Sequence, residues 1–212
     1  MNISYFSHVR REIAPLLGGV YHTALEVGCG AGATLEWLQS SGFCTNTIGV
    51  EYDPLAAVEA KNRVDKVYCG DIGSITLDIQ PESVDLLLCL DVLEHLPDPW
   101  AVMKSLYRLV RPGGSVVVSV PNVRYWKVSA ALLFNDKWQY TDAGVLDRTH
   151  LRFFVKQTAI EMIEQSGFTV EAEVSTGLGR SKRSQFVNGL LPDFIINLLS
   201  YQFVIKGTKL VG

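Results

Sequence analysis

A chain of 212 residues, 48% hydrophobic and 19% charged, is long enough to bury a sizeable core within one folded unit. Its net charge of −3 offers no electrostatic pull toward phosphate backbones, which excludes a non-specific nucleic-acid binder. The cysteines Cys29, Cys44, Cys69 and Cys89 form no CxxC pair and sit in apolar or Gly-rich segments. They read as reduced, structural thiols of a cytoplasmic protein rather than a disulfide framework.

In chain order, "MNISYFSHVRREIAPLL" lacks the basic-then-apolar pattern of a signal peptide. "TALEV" (23–27) predicts a first strand, followed after three glycines by a helix that stops at Gly42. "TIGV" (47–50) predicts a second strand, and Asp53-Pro54 then open a helix, with Asp53 as cap and Pro54 in its first turn. "KVYC" (66–69) is a short third strand, and "VDLLLCL" (84–90) a central one with apolar residues on both faces. A second Asp-Pro pair, Asp98-Pro99, opens a helix whose stripe is Val102, Met103, Leu106, Leu109 and Val110, ended by Pro112-Gly113-Gly114. "SVVVSV" (115–120) is a fifth strand. "KQTAIEMIEQSGF" is a helix stopped at Gly167, "FTVEAEVS" alternates as a strand, and "YQFVIKGTK" (201–209) is the last strand.

Strands alternating with helices predict a parallel sheet covered on both faces. Residues 121–154 and 176–192 fall outside the alternation and follow strands, where open α/β sheets carry ligand loops. They are expected to be substrate-cap insertions within one domain over 1–212. "FVNGLLPDFIINLLSYQFVI" (186–205) is apolar but broken by Asn188, Pro192, Asp193 and Asn197, so it makes a poor bilayer span. It reads as helix-plus-strand core, with weak membrane-surface contact as the alternative.

"ALEVGCGAGATLEWL" (24–38) places Gly28, Gly30 and Gly32 between a strand end and a helix start, where backbone N–H groups and the positive helix end face a ligand. Gly28, Gly30 and Ala33 also satisfy the dinucleotide pattern GxGxxG/A, so the loop alone is a weak signal. Glu51, at the end of the second strand, suits ribose hydroxyls in either case. Discrimination comes from Glu26, a carboxylate beside the loop that repels a pyrophosphate and suits a cationic ligand. It comes also from Asp71 in "YCGDI", and from "VDLLLCLDVLEHLPDP" followed by "LVRPGGSVVVSVPN".

With these pieces in order, the chain resembles the class I S-adenosylmethionine-dependent methyltransferases over about three-quarters of its length. The segment "DRTHLRFF" is similar to ones in bacterial small-molecule methyltransferase domains linked to sugar, surface-glycan or quinone biosynthesis, which hints at a substrate class. The resemblance implies an α/β fold: a doubly wound, Rossmann-like, seven-stranded and mostly parallel sheet with an antiparallel last strand, plus the inserted cap. It implies that Gly28, Gly30 and Gly32 lie under the methionine and ribose, and that Glu26 orients the methionyl ammonium. Glu51 takes the ribose diol, with Tyr52 beside the adenine, Asp71 and Ile72 at its edge and face, and Leu90 and Asp91 at the methyl end. Glu51 is a mild departure, since Asp is common there.

An acceptor hydroxyl or amine must shed a proton, and a neutral histidine is a natural base near pH 7. In "LDRTHLRFF", an extended backbone sets Arg148, His150 and Arg152 on one face, a cationic row for an anionic or sugar-linked acceptor with His150 as base. A solvated strand face pairing with Asp142 and Asp147 is the plain alternative. His95 in "DVLEHL" is a second candidate base, or a packing residue. Tyr125, Trp126, Trp138 and Tyr140 are candidate walls for the acceptor. No cluster has metal-ligand spacing, so no structural zinc or other metal site is expected, a loosely held Mg²⁺ being the alternative. The expected function is methyl transfer to a small-molecule oxygen. The competing readings are a methyltransferase-fold binding protein without catalysis and a nicotinamide oxidoreductase. The acidic balance and the absence of an Asn/Asp-Pro-Pro-aromatic run disfavour action on nucleic acid.

Overall fold

The computed structural model describes residues 8–177 and 192–211. Its sheet comprises β1 (Tyr21–Val27), β2 (Cys44–Glu51), β3 (Lys66–Cys69), β4 (Val84–Leu90), β5 (Val110–Pro121), β6 (Thr169–Thr176) and β7 (Gln202–Thr208). They pair in the order β3-β2-β1-β4-β5-β7-β6. The pairs among β1 to β5 are parallel, and β7 runs antiparallel between β5 and β6. The expected topology is therefore the one observed.

Alternation divides the apolar residues of β4 between two cores, while Asp85, its one polar residue, accepts from Thr23 N at 2.8 Å and from Arg111 Nε at 2.6 Å. Val84, Leu87 and Cys89 face one core with α3 (Pro99–Tyr107) and α5 (Lys156–Gln165), through Val102, Met103, Leu106, Ala159, Met162 and Ile163. Leu86, Leu88 and Leu90 face the other core, with Leu35 and Leu38 of α1 (Ala33–Ser40) and Ala60 of α2 (Pro54–Ala60).

Both Asp-Pro pairs cap as the sequence indicates. The Asp53 carboxylate accepts from Leu55 N at 2.8 Å and Ala56 N at 3.0 Å, and Asp98 from Ala101 N at 3.0 Å. The Leu109–Val110 part of the expected stripe is a correction. The helix ends at Tyr107, and Val110 already pairs with Val84 as the first residue of β5. Arg111 to Gly114 then form an irregularity before Leu86 pairs with Ser115. Pro112 lacks an N–H for the ladder, and a Cβ on Gly114 would stand 2.7 Å from Val110 Cγ1.

Residues between β5 and α5 hold α4 (Trp126–Asn135), which contributes no buried residue, and irregular chain. Most of 176–192 lies outside the described residues. Of the apolar stretch 186–205, the described part is α6 (Asp193–Leu199) leading into β7. No helix among the described residues is long and apolar enough to cross a membrane.

Candidate active site

The strand order reverses between β1 and β4, and ligands of doubly wound sheets bind at the carboxyl ends of strands on either side of such a switch. β1 ends there in the glycine turn. Gly28, Gly30 and Gly32 all have positive φ (73°, 54° and 81°), a region costly to residues with a Cβ. A Cβ on Gly32 would also lie 2.6 Å from Val64 Cγ2, a packing reason for glycine that the sequence did not reveal. The Glu51 carboxylate holds the turn in place: Gly30 N donates to Oε2 at 2.7 Å and Asp53 N to Oε1 at 2.8 Å.

Beneath the turn, Glu26 is buried and its Oε2 has no hydrogen-bond partner. Burial pushes its carboxyl up to about 8, Arg10 opposing and Glu51 adding to the shift. Asp91, at the end of β4, has φ +52° and accepts from Arg10 Nη1 at 2.8 Å, from Ser119 Oγ at 3.0 Å and from Gln202 Nε2. Arg10 also donates to Ser119 Oγ at 3.1 Å. Its role is visible only in the fold; nothing in "HVRRE" separates it from the arginine beside it.

Leu90 is buried, and Ile72 packs partly buried against the core. Asp71 is exposed, its Oδ1 accepting from Gly73 N at 2.8 Å, and Tyr52 is 75% exposed. Glu26, Glu51, the glycine turn, Leu90 and Asp91 are thus brought together, while Tyr52 and Asp71 stand at the rim. This donor set suits S-adenosylmethionine. An orphaned buried carboxyl answers an ammonium, a turn free of side chains admits close approach, and each Glu51 oxygen keeps a lone pair beyond its backbone bond.

A second group lies just past β4. Glu94 and His95 sit in a 3₁₀ turn (Leu93–His95), and the Glu94 carbonyl accepts from Leu151 N at 2.8 Å and Arg152 N at 3.0 Å. Those bonds bring His150 against the turn. It is buried, its ring centroid 4.8 Å from that of His95 in an edge contact. His150 Nδ1 lies 3.1 Å from Val145 O, and His95 Nδ1 3.3 Å from Thr149 O. Glu94 is 1% exposed and neither carboxylate oxygen has a partner; burial holds its carboxyl well above the usual range, the Asp91 charge adding. Burial lowers His95, with His150 contributing.

The cationic row does not form, which corrects the extended reading of 148–152. Asp147 starts a turn, accepting from Thr149 N at 2.8 Å through its side chain and from His150 N at 3.1 Å through its carbonyl. Arg148 is left exposed and paired with Asp142 at 2.8 Å, and Arg152 donates to Pro97 O. His150 alone of the three turns inward. Tyr125 makes an edge contact with Tyr201 at 5.3 Å, while Trp126 is 46% exposed. Tyr125, Lys127, Lys137, Gln139, Val145 and Tyr201 are among the residues around a cavity of about 370 Å³, bordering the carbonyl that anchors His150.

A family model described as a methyltransferase domain matches residues 4–173. Ubiquinone biosynthesis O-methyltransferase of Pseudomonas entomophila (strain L48) is 36% identical over 101 residues, 46% of this chain and 44% of that protein. The chain therefore spans under half the length of the curated relatives it matches. Among solved structures, an S-adenosylmethionine-dependent methyltransferase from Archaeoglobus fulgidus superposes with a TM-score of 0.65 at 18% identity, over 94% of this chain and 90% of that one. Phosphoethanolamine N-methyltransferase 2 of Haemonchus contortus, solved with S-adenosyl-L-methionine, gives 0.64 at 15% identity over 94% of this chain and 52% of that one. The chain belongs to the methyltransferase domain family and has the fold of its S-adenosylmethionine-dependent members.

Proposed function

We propose that the protein transfers a methyl group from S-adenosylmethionine to an oxygen of a small-molecule acceptor. The observation that carries this reading is the orphaned Glu26 carboxyl beneath a glycine turn that Glu51 holds from the other side. The name of the Pseudomonas relative supports oxygen as the acceptor atom. When bound, the cofactor supplies an electrophilic methyl on a sulfonium that departs as a neutral thioether.

The protein's work is then mainly alignment, which contributes roughly 7–11 kcal/mol to such reactions. Glu26 ionises against the ammonium, Glu51 takes the ribose diol, Asp71 and Ile72 meet the adenine with Tyr52 at its side, and Arg10 steadies Asp91 at the methyl end. The acceptor O–H bond breaks as the new O–C bond forms, and the proton leaves toward solvent on the side of Glu94, His95 and His150. The cavity beside α4, with Lys127 and Lys137 among its walls, supports an acceptor carrying an anionic group, with residues 121–154 as its cap. Tyr125 and Trp126 then help wall the acceptor, and Arg148 and Arg152, engaged with Asp142 and with Pro97 O, are left without an acceptor role. The free, buried thiols of Cys29, Cys44 and Cys89 support action in the reducing cytoplasm.

The test is label transfer from methyl-labelled cofactor to fractionated hydroxylated small molecules, read by mass spectrometry. The expected result is an O-methylated product from one fraction. His150→Ala should cut that turnover at least about 10-fold while leaving S-adenosylhomocysteine affinity within about 2-fold. A folded protein that binds S-adenosylhomocysteine yet labels nothing would favour a binding protein without catalysis.

A further inference from the structure

Glu94, His95 and His150 offer one ligand atom each, a carboxylate oxygen and two imidazole nitrogens, and these three atoms lie within 4.8 Å of one another. The two histidines are constrained by what they already touch. Val145 O and Thr149 O can only accept, so each Nδ1 carries its ring's proton and each Nε2 carries a lone pair. His150 Nε2 then stands 3.9 Å from Glu94 Oε1, too far for a hydrogen bond, lone pair toward lone pair. Neither oxygen of Glu94, itself 1% exposed, has any other partner. A buried carboxyl so placed keeps its proton unless a counter-charge displaces it. The point where these three donors converge suits a cation that would do so.

We propose that Glu94, His95 and His150 bind one divalent first-row transition metal ion. Two imidazoles and one carboxylate form a borderline donor set that suits Mn²⁺, Fe²⁺, Co²⁺ or Zn²⁺ better than the all-oxygen preference of Mg²⁺ or Ca²⁺. Bonds to such an ion run near ~2.1 Å, so the donors need to close by roughly 1–1.5 Å, a movement side-chain rotation supplies. Three protein ligands leave open positions, as catalytic rather than structural sites do.

The backbone supports the site independently of any ion. Leu151 N and Arg152 N both bond the Glu94 carbonyl, clamping the segment of one ligand to the turn that carries the other two. The carbonyls of Val145 and Thr149 orient both rings with Nε2 available, the kind of outer support that metal-bound histidines have. The spacing rules missed the group because His150 is far along the chain from the adjacent Glu94 and His95. Resting on the methyl-transfer reading, the inference deepens it. A cation here withdraws charge from an acceptor oxygen brought to it and favours release of the hydroxyl proton to solvent, so the histidines act as ligands rather than as free bases.

The test uses the full chain stripped with a chelator and then titrated with Mn²⁺ alone, free ion being read by electron paramagnetic resonance. Co²⁺ alone is added in parallel and its visible absorption recorded. The expected result is one saturable Mn²⁺ per chain and Co²⁺ bands characteristic of nitrogen and oxygen ligation. Glu94→Gln, which keeps the shape of the side chain, and His95→Gln, at the half-buried ring, should each weaken Mn²⁺ at least about 10-fold. S-adenosylhomocysteine calorimetry on the same stripped protein separates this inference from the reading beneath it. Nucleoside binding without saturable Mn²⁺ or Co²⁺ uptake overturns the metal site alone, as does Mn²⁺ uptake unchanged in both variants. Stoichiometric Mn²⁺ uptake lost in the variants supports the site even where S-adenosylhomocysteine fails to bind, a result that overturns only the methyl-transfer reading.

Discussion

Glu26 shows how one side chain couples stability, pH and ligand binding. Its carboxyl is raised from 4.5 to about 8, so the folded protein keeps a proton that the unfolded chain releases. Folded stability contributed by this group therefore falls as pH rises from about 4.5 to about 8. Glu26→Gln removes that dependence. Denaturant melts should find the variant more stable than the parent near pH 8, by on the order of a few kcal/mol, with little difference near pH 4. The same variant should bind S-adenosylhomocysteine roughly 10- to 100-fold more weakly, having lost a charged hydrogen bond to the ammonium. In the parent, an ammonium partner draws the proton off, so affinity should rise with pH up to about 8. Calorimetry in buffers of different ionisation enthalpy would register the released proton. Flat affinity across that range would contradict the role given to Glu26.

The glycine turn separates two reasons for the same residue type. Gly30 has φ +54° and gives its N–H to Glu51. Gly32 packs against Val64 on the protein side. Gly30→Val should abolish S-adenosylhomocysteine binding while the far-ultraviolet dichroism of the fold remains. Gly32→Ala should instead cost stability, about 2–4 kcal/mol from a strained φ and an overfilled contact. Wild-type affinity in Gly30→Val would contradict the placement of the ligand. Elements whose signals are local were legible in the sequence: the Asp53 and Asp98 caps, β4 with its two apolar faces, the glycine turn itself. The end of α3 was not, because Leu109 and Val110 continue a helical stripe by period while pairing with β4 decides their state. Nor was the turn at Asp147, where side-chain hydrogen bonds to Thr149 outweigh the alternation that suggested a strand.

At the scale of the molecule, the sheet order explains why residues from so many segments meet. Glu26 and Asp91 end neighbouring parallel strands, Glu51 ends the next, and Gln202 reaches Asp91 from the antiparallel strand beyond β5. Arg10 and His150 enter from outside the sheet, which is why periodicity gave Arg10 no role and left His150 among alternatives. The measurement that tests the whole account most directly is calorimetric titration of the full chain with S-adenosylhomocysteine. The account predicts saturable binding at one molecule per chain, lost in Gly30→Val. Absence of saturable heat from protein shown to be folded would contradict it.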